Sequence, residues 1–166
     1  MGRITSLLLS LLLLCTMAGC HPEEEMKRPV NFYYVTSELS FKLEDTVIQK
    51  EVRDCGDLAN PQSQIRLYLK GPVNENLRSP FPANLELLYL SQHEQHLLIN
   101  LSGELASLSG LELMLSCSCL ALTCMELTGA ETITIRANGA SMDGQEEITL
   151  DKDSILLLDT LHPKED

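Results

Sequence analysis

From Leu105 to Leu127 the chain is apolar except at a few positions, and those positions are ordered. At 100° per residue, Glu112, Ser116, Cys119, Thr123 and Glu126 fall on one narrow stripe of a helix. A helix that merely lies on a small domain shows a broad wet side, so one with so thin a polar face must be buried around most of its circumference. The chain therefore needs a sheet for this helix to lie on, which limits it to layered architectures of sheet and helix. The uncharged run Leu113 to Met125, about 13 residues, is too short to cross hydrocarbon and predicts a core helix rather than a membrane span. The same wheel puts Cys117 and Cys124 in the core and leaves Cys119 as the thiol expected at the surface.

Around that helix the sequence spaces shorter elements. Val30 to Val35 is rich in β-branched and aromatic residues, and Asp45 to Arg53 sets Val47 and Val52 loosely among charges, so both predict strands. Asn60-Pro61 supplies a side-chain cap and a first-turn proline for a short helix whose Ile65, Tyr68 and Leu69 share a face, and Gly71-Pro72 stops it. Val73 to Ala83, with Pro80 and Pro82 following Pro72, predicts the longest loop. Leu85 to Leu90 and Leu97 to Leu101 flank the polar Ser91 to His96 as in a hairpin. Gly129 ends the long helix, Glu131 to Ala137 alternates as a strand, Asp143-Gly144 marks a turn, and Ile155 to Leu158 suits a buried final strand. The order β-β-α-β-β-α-β-β predicts an α/β (α+β) fold: a two-layer sandwich of one mixed sheet with two helices on one face.

The N-terminus has a different character. Arg3, the apolar run Leu7 to Leu14 and the small pair Ala18-Gly19 before Cys20 have the layout of an export signal, and the stretch is short for a membrane-crossing helix. Met17-Ala18-Gly19-Cys20 resembles the lipobox of bacterial lipoproteins, which implies cleavage before Cys20 and a diacylglycerol thioether on its sulfur. Two acyl chains suffice for stable anchoring. The expected organisation is a signal peptide at 1–19, a lipidated tether at 20–29, a folded domain at 30–161 and a tail at 162–166, on the extracytoplasmic face of the cell membrane.

The formal net charge of -12 becomes -13 once residues 1–19, whose one charge is Arg3, are removed. Such a surface repels phosphate backbones, and no basic stripe or aromatic platform offsets it, so nucleic acid is not an expected partner. Of six cysteines, Cys15 leaves with the signal and Cys20 takes the lipid. Cys55, Cys117, Cys119 and Cys124 lack the paired knuckles of a zinc site, and a Cys55–Cys119 disulfide is left open. His93 and His96 sit at the hairpin tip without the further ligands zinc needs. Asp143 to Glu147 and Asp151 to Asp153 are carboxylate-rich but lack the ligand pattern of a calcium loop, and read as turns. Neither a nucleophile with a base nor a phosphate-cradling loop is legible, so a non-catalytic protein without cofactor is expected.

Leu67-Tyr68-Leu69-Lys70-Gly71-Pro72 and Leu77-Arg78-Ser79-Pro80-Phe81-Pro82 resemble the signature of the GerMN, or spore germination and sporulation, domain. Val30 to Val35, Leu98-Ile99-Asn100-Leu101-Ser102, the long apolar helix and Thr132-Ile133-Thr134-Ile135 follow in the order of that family, so the resemblance covers about Val30 to Gly139. It implies a single-domain lipoprotein with a fold similar to the ring-building modules that mediate protein contacts in envelope assemblies. The expected role is an interaction or scaffold module in the envelope, with sporulation or germination as the setting the resemblance implies, and with the proline-rich Gly71 to Pro82 loop, and within it Asn74, Asn76 and Arg78, as partner contacts. A small-ligand-binding lipoprotein and an exported cell-wall hydrolase are the alternatives.

Overall fold

The β-branched and aromatic residues near the start form β1 (Pro29–Thr36), the central strand of a sheet ordered β2-β1-β3 in the computed structural model. The structure describes residues 27–37 and 47–155, so the signal peptide, Cys20, most of the tether, Leu156 to Leu158 and the tail lie outside the described residues. β2 (Ile48–Asp54) runs antiparallel to β1 without interruption, from Pro29 opposite Asp54 to Val35 opposite Ile48. β3 (Leu77–Arg78), two residues long, pairs with Val35 and Thr36.

Asn60 begins α1 (Pro61–Tyr68) by accepting the Ser63 N–H on its side chain at 2.7 Å, with Pro61 in the first turn where its missing N–H costs nothing. Ile65 and Tyr68 point inward from it and are fully buried. The Tyr68 ring lies 5.3 Å from Phe32 and 4.9 Å from Tyr34, so α1 closes over β1 through aromatic contact.

The second sheet has the order β4-β5-β6-β7. β4 (Leu87–His93) and β5 (His96–Leu101) form the expected hairpin. β5 is parallel to β6 (Thr132–Ala137), a pairing that requires a crossover. A 3-10 turn (Gly103–Ser107) and α2 (Gly110–Thr128) supply it, and Gly129 ends α2 at φ 70°, a left-handed conformation that favours glycine. β7 (Glu147–Asp151) returns antiparallel to β6. Leu97, Ile99, Leu101, Ile133, Ile135, Ile148 and Leu150 form the buried face of this sheet, and α2 lies against β1, β6 and β7. By length and composition α2 could cross a membrane, but its middle is enclosed by protein.

The α+β class and the two helices match expectation, while the strands divide into two sheets rather than one. The reason lies at Tyr33. Its N–H donates to Thr123 Oγ1 of α2 at 3.0 Å, and its carbonyl accepts the Tyr68 hydroxyl of α1 at 2.6 Å. Beyond the short β3, the second edge of β1 is thus closed by helix side chains, and among the described residues no further strand joins there. This also corrects the expectation for Cys119, which is fully buried and packs with Val35 and Ile48. The middle of the polar stripe, Ser116 to Thr123, faces β1 and the proline-rich loop instead of water, the Ser116 hydroxyl donating to the Pro80 carbonyl, while Glu112 and Glu126 at its ends are exposed and Glu126 Oε1 accepts the Asn31 side-chain amide at 2.8 Å. Cys55, Cys117, Cys119 and Cys124 are all buried free thiols, which removes the Cys55–Cys119 disulfide.

Three further differences are local. The helix starts at Gly110 rather than Leu105, because Leu108 and Ser109 are extended and break the apolar run. β3 lies inside the predicted loop. β7 occupies Glu147–Asp151, between and overlapping the two acidic stretches expected as turns, and follows a tight turn at Asp143-Gly144 in which both residues have positive φ.

Candidate functional site

The segment Gly71 to Pro82 leaves α1, crosses the first sheet and reaches the start of the second, and most of it is exposed between Val73 and Arg78. Exposure usually means loose backbone. Here it does not. Glu51 on β2 accepts the N–H groups of Val73 at 2.9 Å and Asn74 at 2.7 Å, while its other carboxylate oxygen pairs with Arg53. Arg53 in turn donates to the Gly71 carbonyl at 3.0 Å and stacks over the Phe32 ring, its guanidinium carbon 5.4 Å from the centroid. Only 13% of the Arg53 side chain and 10% of the Glu51 side chain are exposed, so this ion pair is shielded from solvent and fixes the loop firmly.

Farther along, Asn74 makes a turn by accepting the Asn76 N–H on its side chain at 3.0 Å and the Leu77 N–H on its carbonyl at 3.0 Å. The Asn76 carbonyl accepts Ser37 N–H at 2.8 Å, which carries the chain into β3. Phe81 then packs edge-on against Tyr68, ring centroids 5.3 Å apart. The segment is therefore attached to the surrounding elements at Gly71, Val73, Asn74, Asn76, Pro80 and Phe81.

Asn74, Asn76 and Arg78, the expected partner contacts, all lie on this exposed stretch. The Asn74 side-chain oxygen is committed to its own turn, and among the described residues the Arg78 guanidinium has no ion pair. Arg78 lines a hollow of about 170 Å³ together with Val35, Phe81, Leu108, Glu112 and Leu115. A second, shallower hollow of about 490 Å³ runs beside β2, lined by Lys50 to Asp54 with Val73 and Asn74. Val73 is 77% and Val52 48% exposed beside this second hollow.

The remaining candidate groups have structural uses. His93 and His96 stand opposite one another across the hairpin, with His96 Nε2 2.8 Å from Thr134 Oγ1. Among the described residues no group of three His, Cys, Asp or Glu side chains is placed to hold a metal ion. Asp143 accepts the Gly110 N–H at 2.7 Å, and Asp151 accepts the N–H groups of Asp153 and Ser154. Burial pushes the thiols of Cys117, Cys119 and Cys124 up to about 12, so none is a thiolate near neutral pH. Nearby Arg78 lowers the Cys119 value only partly against that burial. The Glu51–Arg53 anchor was missed in the sequence, where the one available signal was that the two residues share a strand face.

Residues 31–143 match the family described as sporulation and spore germination. No curated protein matches the chain. Among solved structures, the tandem GerMN domains of the sporulation protein GerM from Bacillus subtilis share the fold at a TM-score of 0.54 and 18% identity, over 79% of this chain and 47% of that one. The chain thus spans about half the length of that structure. The first GerMN domain of the same protein gives a TM-score of 0.53 at 12% identity, over 78% of this chain and 96% of that one. A candidate lipoprotein from Clostridium perfringens gives 0.50 at 19% identity, over 77% and 91%. At these identities the likeness is one of fold.

Proposed function

The chain belongs to the sporulation and spore germination family, and from that premise we propose that it is a lipid-tethered envelope protein whose domain works by holding another protein rather than by catalysis. The observation that carries this reading is the Gly71 to Pro82 segment, which is exposed at Val73 to Asn76 yet anchored through Glu51 and Arg53. A surface already held in its bound shape spares a partner the entropy of ordering it. Lipid on Cys20 would add to this by confining the domain to the membrane surface, where local concentration strengthens weak contacts.

Capture of a small ligand takes second place on size. The hollow at Arg78 and Glu112, about 170 Å³, falls below the roughly 300–1,000 Å³ typical of ligand pockets. The larger hollow beside β2 is open to solvent and does not enclose a ligand.

Two experiments test the proposal. Cross-linking the tethered protein in living sporulating and vegetative cells should recover a specific envelope partner, and changing Asn74, Asn76 and Arg78 to Ala should reduce that recovery severalfold. Absence of any partner, together with turnover of cell-wall or lipid substrate by the purified protein, would overturn the reading. For the tether, Cys20→Ala should release the protein from the membrane fraction or leave it as precursor, and unchanged acylation would refute the lipid assignment.

A further inference from the structure

β2 is an edge strand in the order β2-β1-β3. Thr36 N–H donates to the Val47 carbonyl and Cys55 N–H to the Arg28 carbonyl, which fixes the alternation of the pair. Odd-numbered residues of β2 turn their backbone groups toward β1, and those of Lys50, Val52 and Asp54 turn outward. Among the described residues nothing pairs with them. Edges left in this state invite another strand, and proteins usually blunt them. The other edges are blunted here: β3 is two residues long, β4 carries an irregularity between Leu87 and Tyr89, and β7 is short with a carboxylate at each end. β2 has no bulge and no proline over its seven residues.

Charge identifies the occupant. Lys50-Glu51-Val52-Arg53-Asp54 reads plus, minus, neutral, plus, minus. Run antiparallel against itself about Val52, it sets Lys50 opposite Asp54 of the second copy and Val52 opposite Val52, while Glu51 and Arg53, already paired within each copy, meet as neutral pairs. A twofold axis at Lys50 or Asp54 would set a like charge against itself, which is unfavourable, and one at Glu51 or Arg53 would fall on backbone groups already turned toward β1. The centre is also one of the outward-facing positions, so the two strands meet with donors and acceptors aligned. Asp54 is exposed at the end of the strand, its carboxylate held in place by the N–H groups of Lys27 at 3.2 Å, Arg28 at 3.0 Å and Gly56 at 2.8 Å.

We propose that two copies of this chain pair β2 to β2, antiparallel about a twofold axis at Val52, and join their first sheets into one continuous sheet. The pairing rests on the contact-module reading and names a second copy as a partner, a self-complementary arrangement of the commonest oligomeric symmetry. It fills the hollow beside β2 and covers the exposed Val52.

The test uses the full chain in membranes. The described native cysteines are buried, so Val52→Cys introduces an accessible thiol, and mild oxidation should convert the protein to a covalent dimer. Leu111→Cys, exposed on α2 far along the chain from the edge, should remain monomeric. Adding Lys50→Glu to Val52→Cys should lower the dimer about tenfold, since each substitution acts twice across the axis. Val52→Pro should abolish self-association in detergent-solubilised protein by sedimentation while leaving the circular dichroism melt in place, because an outward N–H is dispensable to the fold. If that variant fails to fold, the Lys50→Glu result decides alone. Absence of a dimer from Val52→Cys, or equal dimer from Leu111→Cys, would overturn the pairing. Should Val52→Cys instead capture a different envelope protein, self-pairing falls and the contact-module reading stands; if neither forms and the loop cross-links are also lost, both fall.

Discussion

The hydroxyl of Thr123 sits between two backbones that belong to different elements, on the helix that carries it and opposite the strand whose N–H it accepts. Thr123→Val keeps the shape and removes the acceptor, so the Tyr33 N–H is left unpaired in the interior. The expected loss is about 1–3 kcal/mol in denaturant unfolding, and Thr123→Ser should recover most of it. A midpoint unchanged in the valine variant would mean the hydrogen bond contributes nothing. The buried cysteines make a second prediction. Their pKa values rise on folding to about 12 from an ordinary 9, so the folded state holds these protons more tightly than the unfolded one. Stability present at neutral pH is therefore lost as pH climbs from about 9 toward 12, by up to about 1.4 kcal/mol per pH unit for each thiol. Denaturant melts between pH 8 and 11 should show the decline, and Cys117→Ala with Cys124→Ala should make it shallower, the rest coming from Cys119, Tyr34 and Tyr68, which burial also raises. The sequence gets the angle of Cys119 right and its surroundings wrong, because a helical wheel separates polar from apolar directions without telling water from the edge of a strand.

Glu51 acts at the level of elements, since one carboxylate ties the loop after α1 to β2. Glu51→Ala should cost about 3 kcal/mol, leaving Arg53 charged and largely buried without its partner. It should also expose the Val73 to Asn76 peptide bonds to protease, which limited digestion followed by mass spectrometry would detect. Legibility of the elements follows from where their signals lie. α1 was readable because its cap, Asn60-Pro61, and its stop, Gly71-Pro72, are adjacent in sequence to the helix they bound. The start of α2 was misread because an apolar run conceals a break unless Ser109-Gly110 is given weight. β7 was lost because Glu147 and Asp151 extend the acidic turns on either side, although Ile148 and Leu150 alternate between them. β3 carries almost no signal of its own, and two residues become a strand only because β1 is beside them.

Across the whole molecule, α2 belongs to both sheets, with its stripe against β1 and its apolar side over β6 and β7. Each fully buried leucine on that apolar side contributes about 1.5–3 kcal/mol, more than a single stripe hydrogen bond, so the core supplies most of the stability and the stripe supplies position. The two sheets should consequently unfold together. Tyrosine fluorescence, to which Tyr33, Tyr34 and Tyr68 around the first sheet contribute three of the four residues, and far-ultraviolet dichroism from α2 should give one coincident transition, and separated midpoints would show two units. The layering was legible from one amphipathic helix, but the division into two sheets was not, since it depends on contacts between residues as distant in sequence as Tyr33 and Thr123. The parallel seam between β5 and β6 has a consequence in time. Each flanking hairpin closes locally, whereas the seam waits until the 3-10 turn and all of α2 have been laid across the sheet. A growing chain that has reached Thr128 but not Ala137 holds its greasiest helix beside an unfinished sheet. That interval, rather than the finished domain, is where aggregation competes with folding, and refolding yield should fall as protein concentration rises although the first-order folding step itself is independent of concentration.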